Sequence, residues 1–264
     1  MPCSQEIELR ICSALERALK VAAQFTPARM ETRFKEAGDP VTKADHAINE
    51  VLHRSLVRDG EGWLSEETVD DLERLNKQRV WIVDPIDGTR EFVAGIPEWC
   101  ISIGYIVDGR TYAGGICNPQ TGEIFIGSRR MGLKYNRGTA HPTRRTALDG
   151  ALVLASRSEF TAGQWELYRG GPFRIRPVGS IAYKLALVAA GRADATWTTV
   201  PKHEWDVAGG VALVEAAGGQ VWTIENATPV FNRREPTFSG LAACGPRLRE
   251  EIHLVPREAA ACLR

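Results

Sequence analysis

The sequence predicts an α+β first half followed by an α/β second half over 264 residues. Three observations lead there. Two segments near the start carry apolar residues at helical spacing. A run of short β-type stretches follows from Trp63. Beyond residue 150, strand-like and helix-like segments alternate, the pattern of a layered α/β arrangement.

Ile7, Ile11, Leu15, Ala18, Leu19 and Ala22 repeat with helical period and predict an opening helix of about five turns. In "DPVTKADHAINEVLHRSLV" the residues Ala44, Ile48, Val51, Leu52 and Leu56 share one face of a second helix. "GWLSEE", "VWIVD", "WCISIGYIVDGRTYAGGICNPQTGEIFIGS" and "LKYN" read as a mostly antiparallel sheet. Its hairpins fall near Asp108-Gly109 and Gln120-Thr121-Gly122. The polar, non-periodic "HPTRRTALDG" is the boundary candidate, which predicts domains 1–145 and 146–264. Past it, "ALVLAS" precedes a helical "EFTAGQWELY", "FRIRPVG" precedes "SIAYKLALVAAG", and "DATWTT" precedes "EWDVAGGVALVEAAGG" and then "QVWTI". No repeat or low-complexity segment interrupts this order.

Lys plus Arg number 33, as do Asp plus Glu, so the net charge is zero. That balance argues against a nucleic-acid polymer as partner but allows a small anion held by a local cluster. The six cysteines are scattered, with no Cys-x-x-Cys pair and no histidine at zinc-ligand spacing. They read as reduced thiols, mostly core filler, in a cytoplasmic protein. The charged, amphipathic N-terminus lacks an apolar h-region, and no apolar run reaches membrane-spanning length. Neither a signal peptide nor a membrane partner is expected.

"WIVDPIDGTREF" raises a different question, because a buried strand runs into two acids. Val80–Val83 reads as the strand, with Asp84 at its end. Pro85 keeps the chain extended, and Asp87-Gly88-Thr89 reads as an N-cap and first helical turn. Free amides at a helix start attract phosphate, and two carboxylates beside an anion require divalent cations between them. Metal and phosphate together are one reading; ordinary turn chemistry with Asp87 as a simple cap is the other. Three further features favour the site. Glu66 and Glu67 leave a strand through "LSEET". Asp206 stands beside Trp205 at the start of an apolar helix, where the tryptophan would bury it; a plain N-cap is the alternative. Asp45 lies inside a helical pattern and, taken alone, reads as a solvated residue.

In this order, "DPVTKAD", "LSEE", "WIVDPIDGT" and "EWDVAGG" resemble the inositol monophosphatase superfamily of Mg²⁺-dependent phosphatases, over about residues 35 to 220. The resemblance implies a layered αβαβα sandwich of the inositol monophosphatase/fructose-1,6-bisphosphatase type, with the site where the halves meet. Most metal ligands would come from the first half, and Asp206 with the specificity elements from the second. By the same resemblance Glu66, Asp84 and the Ile86 carbonyl match ligands of a first metal, and Asp84, Asp87 and Asp206 those of a second. Gly88 and Thr89 match phosphate-binding amides, and the Thr89 hydroxyl, linked to Asp45, matches a group that helps activate water alongside Glu66. Two or three Mg²⁺ ions, inhibition by Li⁺, a small phosphate ester as substrate and room for a homodimer are implied. All-oxygen ligands agree with Mg²⁺.

Substrate markers divide. Inositol phosphatases resemble this chain less at Thr199, where they carry Glu, and bisphosphate nucleotidases less at Thr198, where they carry Arg. "DGTREF", "LASRS" and Lys184 after Gly179-Ser180 resemble the nucleotidases, so Ser180 and Lys184 become substrate-binding candidates. A snorkelling surface lysine is the alternative for Lys184. The expected substrate is 3′-phosphoadenosine 5′-phosphate, with inositol 1-phosphate or another sugar or polyol phosphate as the alternative. A non-catalytic metal or nucleotide sensor is the reading of a different class.

Overall fold

The structure is a computed structural model that describes residues 3–25, 32–34 and 40–253. Cys262 and the Asp39 that opens "DPVTKAD" lie outside the described residues. Helix α1 (Ser4–Ala22) is followed by a short antiparallel ribbon, β1 (Thr32–Phe34) and β2 (Pro40–Thr42), and then by α2 (Lys43–Leu56). Strands β3 (Gly62–Ser65) and β4 (Arg79–Asp87) come next, then α3 (Thr89–Ala94). The first half closes with β5 (Cys100–Val107), β6 (Arg110–Asn118), β7 (Glu123–Ser128), β8 (Gly132–Tyr135) and β9 (Gly138–Ala140). These last seven strands form one sheet in chain order, with only β3 and β4 parallel. Its hairpins turn at Asp108-Gly109, where both residues have positive φ, and at Gly122 (φ 68°), because left-handed turns match the strand twist.

The second half contains β10 (Leu152–Ser156), α4 (Arg157–Thr161), β11 (Arg174–Val178), α5 (Ile181–Ala189) and β12 (Ala195–Thr198). It continues with β13 (Lys202–His203), α6 (Glu204–Ala216), β14 (Gln220–Thr223), β15 (Thr237–Phe238), β16 (Leu241–Cys244) and α7 (Arg249–Ile252). Its sheet runs β11-β10-β12-β16-β14, parallel through the first three strands and antiparallel at β16. Two expectations need correction. "EFTAGQWELY" is not one helix: α4 stops at Thr161, and Gly163 at φ 77° separates it from a 3-10 turn at Glu166–Tyr168. Strand β16 lies beyond the alternation read from sequence, yet it takes an inner position and reverses the sheet.

Alternation of side chains assigns the layers. Trp81, Val83, Ile101 and Ile103 pack beneath α1 and α2, whereas Val80 and Ile82 face the other way, toward α5 and α6. In the second sheet Leu154, Leu241 and Ala243 meet that same central helix layer. Val153, Ala155, Ala242 and Cys244 face outward under Trp165, Leu248 and Ile252. The result is an αβαβα sandwich. Small residues let the central helix approach closely: a Cβ on Gly104 would lie 2.7 Å from the Ala208 Cβ, and one on Gly114 2.6 Å from the Gly209 carbonyl. No described helix is long and apolar enough to cross a membrane. Of the described thiols, Cys100, Cys117 and Cys244 are buried core residues, while Cys3 is exposed and Cys12 half-buried.

Candidate active site

The site starts from a register fault in β4. Asp84 pairs with Ser102 and Asp87 with Cys100, so three steps along β4 match two along β5. In a regular strand, residues three apart face opposite sides of the sheet. One extra residue at Pro85-Ile86 cancels that inversion and turns both carboxylates to the same face. The strand therefore runs through Asp87 rather than ending at Asp84. Asp87 is not the N-cap of the next helix either; Gly88, at φ 95°, holds that position. An Asx turn fixes Asp84, whose Oδ1 accepts from the Ile86 amide at 3.0 Å.

Asp206 reaches this face from α6. It is the third helical residue, and the N-cap is His203, not Asp206: the Asp206 Oδ2 accepts from the His203 amide at 2.8 Å in a capping box. Trp205 does not seal it in. That ring stacks on His203 at 4.4 Å, and Asp206 stays half-buried. Glu66 follows β3, in a loop pinned to α2 by the Ser65 hydroxyl, which donates to Asn49 Oδ1 at 2.6 Å. Asp45, on α2, is 1% exposed, so the solvated reading of it is overturned.

These acids act on one another electrostatically. Burial, then Glu66, Asp87, Asp206 and Asp45, raise the Asp84 carboxyl well above the usual range. Burial, then Asp87 and Glu66, push Asp206 up to about 8. Burial also raises Asp87, although Ser180, the Ala182 amide, Lys184 and Lys202 pull the other way. Mutually repelling carboxylates, buried at Asp84 and Asp87, need countercharge. An all-oxygen donor set of this kind fits Mg²⁺. Among the described residues, no three His, Cys, Asp or Glu side chains are gathered closely enough to hold a metal ion together. Mg²⁺ does not require three, since it keeps several waters and takes only one or two carboxylates directly.

The other predicted residues divide. Gly88 and Thr89 stand at the start of α3, and the Thr89 hydroxyl donates to the Ile86 carbonyl at 3.1 Å. Ser180 caps α5 and donates to Asp87 Oδ2 at 2.6 Å. Lys184 is no snorkelling lysine: it is 2% exposed, and its ammonium donates to the Val178 carbonyl at 3.1 Å. Burial lowers its pKa to about 8. Thr198, at the first discriminating position, is buried and donates to Glu159 at 2.5 Å. Sequence reasoning missed Lys202, on β13, whose ammonium stands 4.0 Å from Glu159 and whose charge reaches Asp87, Asp206 and Lys184. The one signal for it was its place four residues ahead of Asp206, indistinguishable in sequence from a solvated charge.

A sandwich of this topology with oxygen donors gathered beside a short helix start defines a class, the metal-dependent phosphate-ester hydrolases. Within that class the chain belongs to the Inositol monophosphatase family, whose profile matches residues 4–255. It is 32% identical over 238 residues to the inositol-1-monophosphatase of Mesorhizobium japonicum, covering 84% of this chain and 86% of the relative. The structure matches a Thermotoga maritima IMPase with a TM-score of 0.81 at 25% identity, over 96% of this chain and 97% of that one. It also matches CysQ of Bacteroides thetaiotaomicron with a TM-score of 0.76 at 25% identity, over 92% of this chain and 98% of that one. Members of the family are Mg²⁺-dependent phosphatases, and the chain is accordingly a phosphoric monoester hydrolase.

Proposed function

We propose that this hydrolase acts on a small phosphorylated metabolite whose leaving alcohol carries a second anion, with 3′-phosphoadenosine 5′-phosphate as the representative substrate. The observation that carries the reading is the pair of lysines behind Asp87: Lys184, buried with its ammonium 3.1 Å from the Val178 carbonyl, and Lys202, whose ammonium stands 4.0 Å from Glu159; both charges act on Asp87. Like charges brought together favour an anion between them. A second reading, inositol 1-phosphate hydrolysis, is favoured by the inward turn of Lys184 onto Val178, which occupies that ammonium inside the protein.

In this reading Glu66, Asp84, Asp87, Asp206 and the Ile86 carbonyl would hold Mg²⁺, as two or three ions, and Li⁺ would inhibit. When bound, Mg²⁺ supplies Lewis acidity that acidifies an attacking water and neutralises charge on the phosphate and the leaving oxygen. The amides of Gly88 and Thr89 hold phosphate at the start of α3. Thr89 has a single hydroxyl proton, now given to Ile86; giving it to Asp45 instead would turn the oxygen's lone pairs toward the water, which donates to them and is oriented. Asp45, buried on α2, is the acceptor for that switch. Glu66 would help orient and acidify that water. Positioning and charge neutralisation suffice for phosphoryl transfer, so no covalent nucleophile is needed. The proposal includes domains 1–145 and 146–264, a cytoplasmic setting and a homodimer, the last testable by light scattering.

Phosphate release with Mg²⁺ across 3′-phosphoadenosine 5′-phosphate, inositol 1-phosphate, fructose 1,6-bisphosphate and histidinol phosphate tests the reading. The nucleotide bisphosphate should show the highest kcat/KM. A clear preference for inositol 1-phosphate would establish the second reading instead.

A further inference from the structure

We infer that Ser180 is a positioning residue for Asp87, an inference that rests on the reading of Asp87 as a Mg²⁺ ligand. Its backbone, at φ 50° and ψ 116°, lies in a region that non-glycine residues rarely occupy. That conformation lets one hydroxyl do two things. It donates to Asp87 Oδ2 at 2.6 Å and accepts from the Tyr183 amide at 3.0 Å. The Ala182 amide donates to the same Oδ2 at 2.6 Å, so one carboxylate oxygen is held from two sides.

The neighbouring chain is shaped to keep this geometry. A Cβ on Gly179 would fall 2.5 Å from Glu91 Cγ and 2.7 Å from the Glu98 carbonyl, so only glycine fits there. Glu98 accepts from the Gly179 amide at 2.8 Å and from Arg157 at 2.5 Å, which ties the β11–α5 junction to the loop before β5. Ser180 is 7% exposed and both of its hydroxyl functions are used. It therefore orients a ligand instead of touching substrate. Groups that orient metal ligands typically change metal affinity about 10–100-fold when removed.

Calorimetric titration of Mg²⁺ into the full chain, without substrate, tests this. Ser180→Ala should weaken Mg²⁺ binding about 10–100-fold, with substrate KM unchanged once Mg²⁺ saturates. Ser180→Gly relieves the backbone strain and still lacks the hydroxyl; it should regain thermal stability relative to Ser180→Ala but not Mg²⁺ affinity. Ser180→Thr should restore much of the affinity. Asp87→Asn serves as the control. If it weakens Mg²⁺ binding and Ser180→Ala does not, Ser180 is only a helix cap and the inference falls. If neither variant changes the affinity, Asp87 is not a ligand, and the reading beneath the inference falls with it.

Discussion

Thr89 has one hydroxyl proton, and the structure gives it to the Ile86 carbonyl. An interaction with Asp45 used mainly in the transition state would show in kcat and leave KM alone. Thr89→Ala should therefore lower kcat strongly with little change in KM, and Thr89→Ser should recover much of the rate. Asp45→Asn should resemble Thr89→Ala, and the double variant should cost much less than the sum because the two act as a unit. Additive losses in steady-state kinetics would reduce Thr89 to a structural role. Lys202 is tested by a change of substrate. Lys202→Met keeps the stem and removes the charge, so a bis-anionic substrate should lose about 1.5–3 kcal/mol, as for a hydrogen bond to a charged group. Inositol 1-phosphate should barely respond. Equal losses on both would mean that Lys202 only offsets the acids around it.

At the scale of elements, α6 approaches the first sheet closely. Gly104→Ala would drive its Cβ against Ala208, a contact that neither backbone can relieve locally. Overpacking of this kind costs about 1–3 kcal/mol, read as a lower midpoint in urea with an unchanged slope. On the opposite face α1 is tied down by Glu61, which accepts from Arg10 (2.5 Å), Trp81 (2.9 Å) and Tyr105 (3.1 Å). Burial alone would raise the Glu61 carboxyl, but the Arg10 and Trp81 hydrogen bonds outweigh it and the net shift is downward. A carboxyl depressed in the folded state stabilises fully above its unfolded value of about 4.3 and loses that contribution as pH falls through the folded value. Glu61→Gln should flatten this acid limb in a series of thermal melts below about pH 4.3. An unchanged limb would assign it to other acids.

For the whole molecule, the site stores repulsion between acids drawn from α2, β4, α6 and the loop after β3. A ligand that binds only the folded state stabilises it, by about 2.7 kcal/mol at a hundred times its dissociation constant. Mg²⁺ should raise Tm well above an ionic-strength-matched NaCl control. Asp206→Asn keeps an oxygen for the His203 amide but removes a charge. It should raise Tm without Mg²⁺ and shrink the Mg²⁺-dependent gain. A variant that melts lower and still gains fully from Mg²⁺ would exclude Asp206 from the metal site.

By itself the sequence determined the family resemblance, the two amphipathic helices, the hairpin turns and the acids that gather at the site. Each is a local signal: a period, a turn dipeptide, or a motif of a few residues around Asp84, Asp87 or Asp206. Register and burial were decided only by tertiary structure. A bulge at Pro85-Ile86 brings Asp84 and Asp87 to one face, but the count of residues between them argues for opposite faces. For Asp45 and Lys184 the helical pattern alone allowed a solvated surface charge beside the site role, and both are buried. Lys202 gained a role because β13 sets it against Glu159 from α4, a neighbour 43 positions away. Such contacts depend on which strand lies beside which. The side-chain pattern of one segment does not carry that information, because the same charged residue suits water or a partner equally well until the layers close over it.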